Sequence, residues 1–276
     1  MAEAGWADIV QVPSEPIGDF AERFAAAARA RQYDLLYFSH VFFNSGLVVD
    51  PLARAVGGLP ETSVVVVDGY HSFCALPTSL RAVADRIFYI AGGYKYAQSG
   101  EGVCFMSVPT GCALRPVNTG WFADFGSLEA ESTDAVAYAD DGMRFAGATF
   151  DPSGVYRMSA VLGLLEREGI AIADIHRHVS GLQRRFIDKL TDLGHPLLCA
   201  DHLLYHGDRP HGHFLTFVLP SVADTEKLAG QLSGADIVVD HRGRRLRFGF
   251  GMYLDDEDVD ELARRIACLP GSTSGQ

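Results

Sequence analysis

The stretch Val64-Val-Val-Val-Asp68-Gly-Tyr-His71-Ser72 settles the class of fold. Four valines in succession leave no polar position to face solvent, so they read as a strand buried on both faces, the kind found in helix-covered sheets. Asp68-Gly69 marks the carboxyl end of that strand. Working outward, Tyr33 to Ser39 and Arg86 to Ile90 are apolar, aromatic runs of the same kind, and Gly102 to Val108 is a further strand. Helices are predicted for Asp19 to Arg31, where Phe20, Phe24, Ala27 and Ala28 recur at helical spacing, for Pro51 to Val56 behind an Asp50 cap, and for Thr78 to Ala84. Strands alternating with short helices predict an α/β fold with a mainly parallel sheet covered on both faces. Ligand-binding groups are then expected at the carboxyl ends of the strands, where Asp68 to His71 and Gly92 to Tyr96 fall.

The pattern changes after about residue 150. A helix from Ser153 to Glu168 is followed by an amphipathic one from Ile172 to Leu193, with Ile175, Val179, Leu182, Phe186 and Leu190 on one face. A strand from His213 to Leu219, a helix from Ala223 to Leu232, strands around Ile237 to Val239 and Arg245 to Phe250, and an acid-led helix from Asp255 to Cys268 complete the chain. The organisation is therefore a first unit over 1–150, a small α+β domain over 151–270 and a polar, disordered tail from 271 to 276.

The 276 residues are 48% hydrophobic and carry a net charge of -12. Both halves are acidic, which argues against nucleic acid as a partner. No apolar run is long enough for a membrane span, and the start lacks a signal-peptide pattern, so a cytoplasmic location is expected. Five cysteines with no paired spacing read as reduced, mostly buried thiols. Asp201, His202, His206, Asp208, His211 and His213 crowd one stretch, but their spacing matches no metal motif.

Only three basic residues are lysine, and Lys95 is the single one in the first 150 residues. It sits in Gly92-Gly-Tyr94-Lys95-Tyr-Ala-Gln-Ser-Gly100, a glycine-lined turn behind a buried strand. Such glycines let a ligand approach the backbone, and a desolvated lysine has the lowered pKa that a Schiff-base amine requires. An acid able to pair with a pyridinium nitrogen completes the chemistry of pyridoxal 5'-phosphate (PLP). Each residue also has a plainer reading: Asp68 as a turn residue, His71 as a packed histidine, Arg247 as one of a basic group with Arg242, Arg244 and Arg245.

In this order, Ser39-His-Val-Phe-Phe-Asn-Ser-Gly46, Asp68-x-x-His71, Tyr94-Lys95 and Arg245-Leu-Arg247-Phe-Gly-Phe-Gly-Met-Tyr-Leu-Asp-Asp-Glu-Asp258 resemble the class V aminotransferase family of fold type I PLP enzymes. Tyr94 and Gly120-Trp121 are similar to the kynureninase branch. The resemblance implies a PLP-transferase fold and an amino-acid substrate, with kynureninase-like hydrolysis or transamination as the reaction. It implies a Schiff base on Lys95, Asp68 on the pyridine nitrogen, His71 beside the ring, Tyr94 at the phosphate and Arg247 on the substrate carboxylate. Trp121 and Thr149 are implied to act across a homodimer boundary.

The resemblance also implies a long N-terminal portion ahead of Tyr33, carrying the phosphate-binding loop and the residue that stacks on the ring. No counterpart is found in Met1 to Pro16. The expectation is therefore an incomplete large domain, completed by a separate N-terminal polypeptide or belonging to a longer enzyme, with a non-catalytic interaction subunit as the alternative.

Overall fold

The computed structural model describes residues 2–127, 129, 136–204 and 210–271. Its first part begins with helix α1 (Phe20–Ala30), strand β1 (Leu35–Ser39), helix α2 (Leu52–Gly57) and strands β2 (Val64–Asp68), β3 (Phe88–Gly92) and β4 (Cys104–Ser107). These strands form one sheet in the order β1-β2-β3-β4. The first three are parallel, with Ser39 beside Asp68 and Asp68 beside Ile90, and β4 runs antiparallel to β3. Asp68 thus ends an interior strand, hemmed in by two neighbours.

One sheet face packs on α1 and α2: Leu36, Phe38, Val65 and Val67 bury against Phe20, Ala25, Ala28, Leu52 and Val56. The other face departs from the expected two-sided cover. Leu35 is 55% exposed and Tyr37 50%, because the two-residue period of β1 turns them away from both helices.

The second part holds helices α3 (Ser153–Arg167) and α4 (Ile172–Leu193), strand β5 (Phe214–Val218), helix α5 (Val222–Gly234), strands β6 (Asp240–Arg242) and β7 (Arg245–Gly249), and helix α6 (Asp256–Ala267). The strands form an antiparallel sheet in the order β5-β7-β6. Val179, Leu182, Phe186 and Leu190 of α4 pack with Leu215, Phe217, Leu246, Phe248 and Ile266 into a second core. Asp255 caps α6 by accepting from the Glu257 and Asp258 N–H groups, as an acid at a helix N-terminus should. A third cluster, formed by Val41, Val48, Ala75, Leu76 and Phe214 with Tyr96 against it, joins the two parts.

Three expectations need correction. Residues 78–84 form no helix: the turn is closed by short-range bonds such as Val83 N–H to Leu80 O at 2.9 Å, and Arg86 reaches back to Pro60 O at 2.6 Å, straightening the chain into β3. Ile237 to Val239 is not a strand, because the Ile237 N–H is still spent on the end of α5 through Leu232 O, and pairing begins at Asp240. All five cysteines are free, but only Cys74 is buried; Cys104 lies on the exposed edge strand β4 and Cys268 just beyond α6. The tail from 272 to 276 lies outside the described residues. Among the described residues, no helix is long and apolar enough to cross a membrane.

Candidate active site

Asp68 accepts three hydrogen bonds at the end of β2. Its Oδ2 takes the Tyr37 hydroxyl at 2.8 Å and the Ser39 hydroxyl at 3.3 Å, and its Oδ1 takes the Tyr70 N–H at 2.9 Å. The turn that follows depends on Gly69. A Cβ there would lie 2.0 Å from the Tyr89 hydroxyl, which passes over the glycine to meet Ser72 Oγ at 2.9 Å. That turn presents His71, whose ring is flanked by Phe43, Phe214 and Tyr96 at centroid distances of 5.6, 5.5 and 6.4 Å. Burial, reinforced by the positive charges of Lys95 and Arg247 and opposed by Asp68, lowers His71 to about 4, so the ring is neutral.

Lys95 follows β3 in a loop closed by Ser99 N–H to Gly93 O at 2.9 Å and Gln98 N–H to Lys95 O at 3.1 Å. Gly93 packs tightly, since a Cβ would sit 2.0 Å from Ser99 Oγ and 2.9 Å from a Val103 methyl. Arg157 of α3 fastens the loop from outside, donating from Nε to Ser99 O at 3.0 Å and from Nη2 to Glu101 O. Lys95 Nζ is half-buried and 2.9 Å from His71 Nε2. With His71 neutral, the amine donates to an unprotonated Nε2, which assigns the ring proton to Nδ1. Burial and the nearby Arg247 lower the amine pKa, with Asp68 pulling the other way.

Arg247 arrives from the second part through the alternation of β7: Leu246 and Phe248 enter the core while Arg247 points to the first part. Its guanidinium lies 3.8 Å over the Phe43 ring and 5.2 Å from that of Phe214, donates to Phe43 O at 2.5 Å and pairs with Asp240. Phe43 and Phe214 thereby touch both His71 and Arg247. Tyr94 is exposed, with its ring 5.5 Å from Lys95 Nζ.

Asp68, His71, Lys95 and Arg247 are thus brought together, while Trp121 and Thr149 are not. Trp121 is exposed and stacks on Phe122 and Phe125, and Thr149 is exposed nearby, where Phe122 N–H bonds Gly147 O. The histidine-rich stretch disperses: His211 bonds Ser45 O, His213 stacks on His176, and His202 bonds Leu197 O. Among the described residues, no group of His, Cys, Asp and Glu side chains is placed to hold a metal ion, and His206 and Asp208 lie outside them.

Phe43, Tyr37, Tyr96, Phe214 and Asp240 were not singled out from sequence. Tyr37 was within reach, because parallel pairing of two neighbouring buried strands places it two residues before Ser39, the register partner of Asp68, and so on the same face. The others depend on how the two parts dock.

The chain belongs to the class V aminotransferase family, whose model matches residues 1–262. Its fold is similar to that of the cystine C–S lyase C-DES, solved with its product cysteine persulfide, at 22% identity and TM-score 0.74, covering 90% of this chain and 64% of that one. A C-DES mutant with glycine covalently linked to the PLP cofactor matches at 22% identity and TM-score 0.73, covering 91% and 64%. The apo cysteine desulfurase of Thermococcus onnurineus NA1 matches at 17% identity and TM-score 0.72, covering 94% and 65%. Alanine–glyoxylate aminotransferase of Nostoc sp. matches at 15% identity and TM-score 0.63, covering 95% and 66%. These likenesses establish the α/β fold of the PLP-dependent aminotransferases, and the chain spans less than two thirds of C-DES. No curated protein matches the chain.

Proposed function

We propose that this chain carries the lysine and carboxylate-binding side of a PLP-dependent enzyme acting on an amino acid, by kynureninase-like hydrolysis or by transamination. The observation that carries the reading is the position of Lys95: a half-buried amine of lowered pKa, 2.9 Å from a neutral imidazole and within electrostatic reach of Asp68 and Arg247. The donor set fits the cofactor, since one acid, one imidazole, one nucleophilic amine and one guanidinium converge at strand ends. When bound, PLP supplies a pyridinium ring that draws electrons from the substrate α-carbon.

The chain's own groups then divide the work. Asp68, oriented by Tyr37, Ser39 and the Tyr70 N–H, would keep the proton on the pyridine nitrogen. His71 positions the Lys95 amine and flanks the ring. Lys95 would hold the cofactor through Nζ, and the same atom would take up and return the substrate α-proton. Arg247 would grip the α-carboxylate with its planar fork, and Tyr94 would contact the phosphate. Trp121 and Thr149 act across a homodimer boundary, a reading supported by their exposure. The exposed β1 face with Leu35 and Tyr37 is where additional polypeptide, in the same or a separate chain, would pack. Five free cysteines support a cytoplasmic location.

An absorbance scan of the purified chain with added PLP tests the reading. A visible band that is lost in Lys95→Ala is expected. A scan identical for both proteins, showing only free PLP, would reduce the chain to a non-catalytic relative or interaction subunit.

A further inference from the structure

Both terminal nitrogens of Arg247 already have an acceptor in this structure, Phe43 O on one and the Asp240 carboxylate on the other. An incoming carboxylate that seats on the two terminal nitrogens competes with these acceptors for the guanidinium charge, and their surroundings decide which yields.

Phe43 O belongs to a run of captured carbonyls. The carbonyls of Phe43, Asn44, Ser45 and Gly46 accept in turn from Arg247, Arg245, His211 and the Gly212 N–H, at 2.5, 3.0, 3.1 and 2.8 Å. Gly46, at φ +76° and with a would-be Cβ 2.5 Å from the His211 ring, lets the loop lie this close to the second part. Losing the Phe43 bond would disturb a fixed seam between the two parts. Asp240 has no such commitment. It lies on the three-residue edge strand β6, directly across from Arg247, its side chain is 50% exposed, and it can exchange the guanidinium for water. Arg247 itself is only 13% exposed and cannot be left unpaired without cost.

We propose that Asp240 is a built-in competitor for the substrate-carboxylate site: it neutralises Arg247 in the empty site and gives way towards solvent as a substrate α-carboxylate binds. This rests on the role of Arg247 given above. The consequence is a deliberately weakened carboxylate affinity, and selection against amines that lack the carboxylate needed to displace Asp240 from Arg247.

The test uses acetate, the simplest carboxylate, and the full chain without PLP, observed by saturation-transfer NMR, so that it is independent of cofactor chemistry. Asp240→Asn is expected to bind acetate roughly fivefold tighter than the parent, the scale of a half-exposed ion pair removed from competition. Asp240→Glu, which restores the competitor, should return to the parent affinity, and Asp240→Asn combined with Arg247→Gln should not bind. Methylamine serves as the control and should be indifferent to all of them. Acetate binding by Asp240→Asn that is equal to or weaker than the parent's would overturn the proposal. Because PLP is absent, that result would leave the Lys95-dependent absorbance band untouched, and loss of that band would leave the acetate series untouched.

Discussion

Asp68 Oδ2 accepts the Tyr37 hydroxyl at 2.8 Å across two parallel strands, and partial burial together with this bond pushes Tyr37 up to about 12. The tyrosine remains a donor at any working pH, so the acid is held in one orientation. Local structure here serves the site: β1 and β2 pair in register to bring a hydroxyl to a carboxylate that no loop has to position.

Asp68→Asn keeps the size and the acceptor oxygen but removes the charge. It should fold with little change in Tm, bind PLP, and lose roughly 10²-fold or more in the rate of substrate α-proton exchange, the scale of a lost acid–base contribution. Exchange followed by NMR in deuterated water checks this. Exchange at the parental rate would show that Asp68 is only a turn residue.

Arg157 is remote from the chemistry in sequence but clamps two carbonyls of the lysine loop, Ser99 O and Glu101 O. Arg157→Ala leaves both without a charged donor and should cost about 1.5–3 kcal/mol, with a lower fraction of chain showing the Lys95-dependent absorbance band. Arg157→Lys, a point charge that reaches only one carbonyl at a time, should recover part of each. Denaturant unfolding and PLP titration of the three proteins decide it, and unchanged PLP occupancy in Arg157→Ala would reduce the residue to a surface contact.

The candidate site was legible in sequence as far as chain order carries it. Asp68, His71 and Lys95 each follow a buried strand directly, and a parallel sheet gathers such positions at one edge. Arg247 was legible only through resemblance, because four arginines occupy 242–247 and the inward-facing ones follow from the register of β7. Asp240 and Phe43 were not legible at all. The first depends on where β6 begins, displaced from Ile237 by the end of α5, and the second on the docking of two parts some two hundred residues apart. The same limit explains the sheet: four valines announce a buried strand, yet Tyr37 and Leu35 on its neighbour are exposed, since burial of a face depends on what else packs there.

Trp121, Phe122, Phe125 and Phe150 form an aromatic group, with Trp121 at 46%, Phe125 at 51% and Phe150 at 62% exposure. Apolar surface of this kind marks an interface. The chain should elute as a dimer in gel filtration, and Phe125→Asp should shift it to the monomer position without lowering helix content by circular dichroism. A monomeric parent chain would remove the homodimer and, with it, any role for Trp121 and Thr149 at the site.

Phe186 of α4 is fully buried and packs against Phe248 and Phe250 at centroid distances of 5.1 and 5.7 Å. Phe186→Ala leaves a cavity in the second core and should cost about 3–5 kcal/mol. Urea unfolding measures it. A loss under about 1 kcal/mol would mean that the core around α4 is not the close-packed cluster described.

Buried imidazoles set the acid sensitivity. Burial lowers His40 and His71 from 6.5 to about 4, and His213 to about 3. Unfolded, these rings take up protons near 6.5 while the folded rings resist. Their contribution to stability is therefore complete above that value and is lost as pH falls through 6.5 towards 4. Asp260, held down from 3.8 to about 2 by Arg185 and Lys189, acts only below that window. Tm measured by calorimetry should therefore start to drop well above the carboxylate range, and a Tm constant from 6.5 to about 5 would contradict the assignment. His40 is the cleanest place to confirm the cause. It is 2% exposed and its Nδ1 has no hydrogen-bond partner, so His40→Leu removes a titrating ring without stranding another polar group. That variant should match or exceed the parent at neutral pH and show a shallower fall in Tm on acidification.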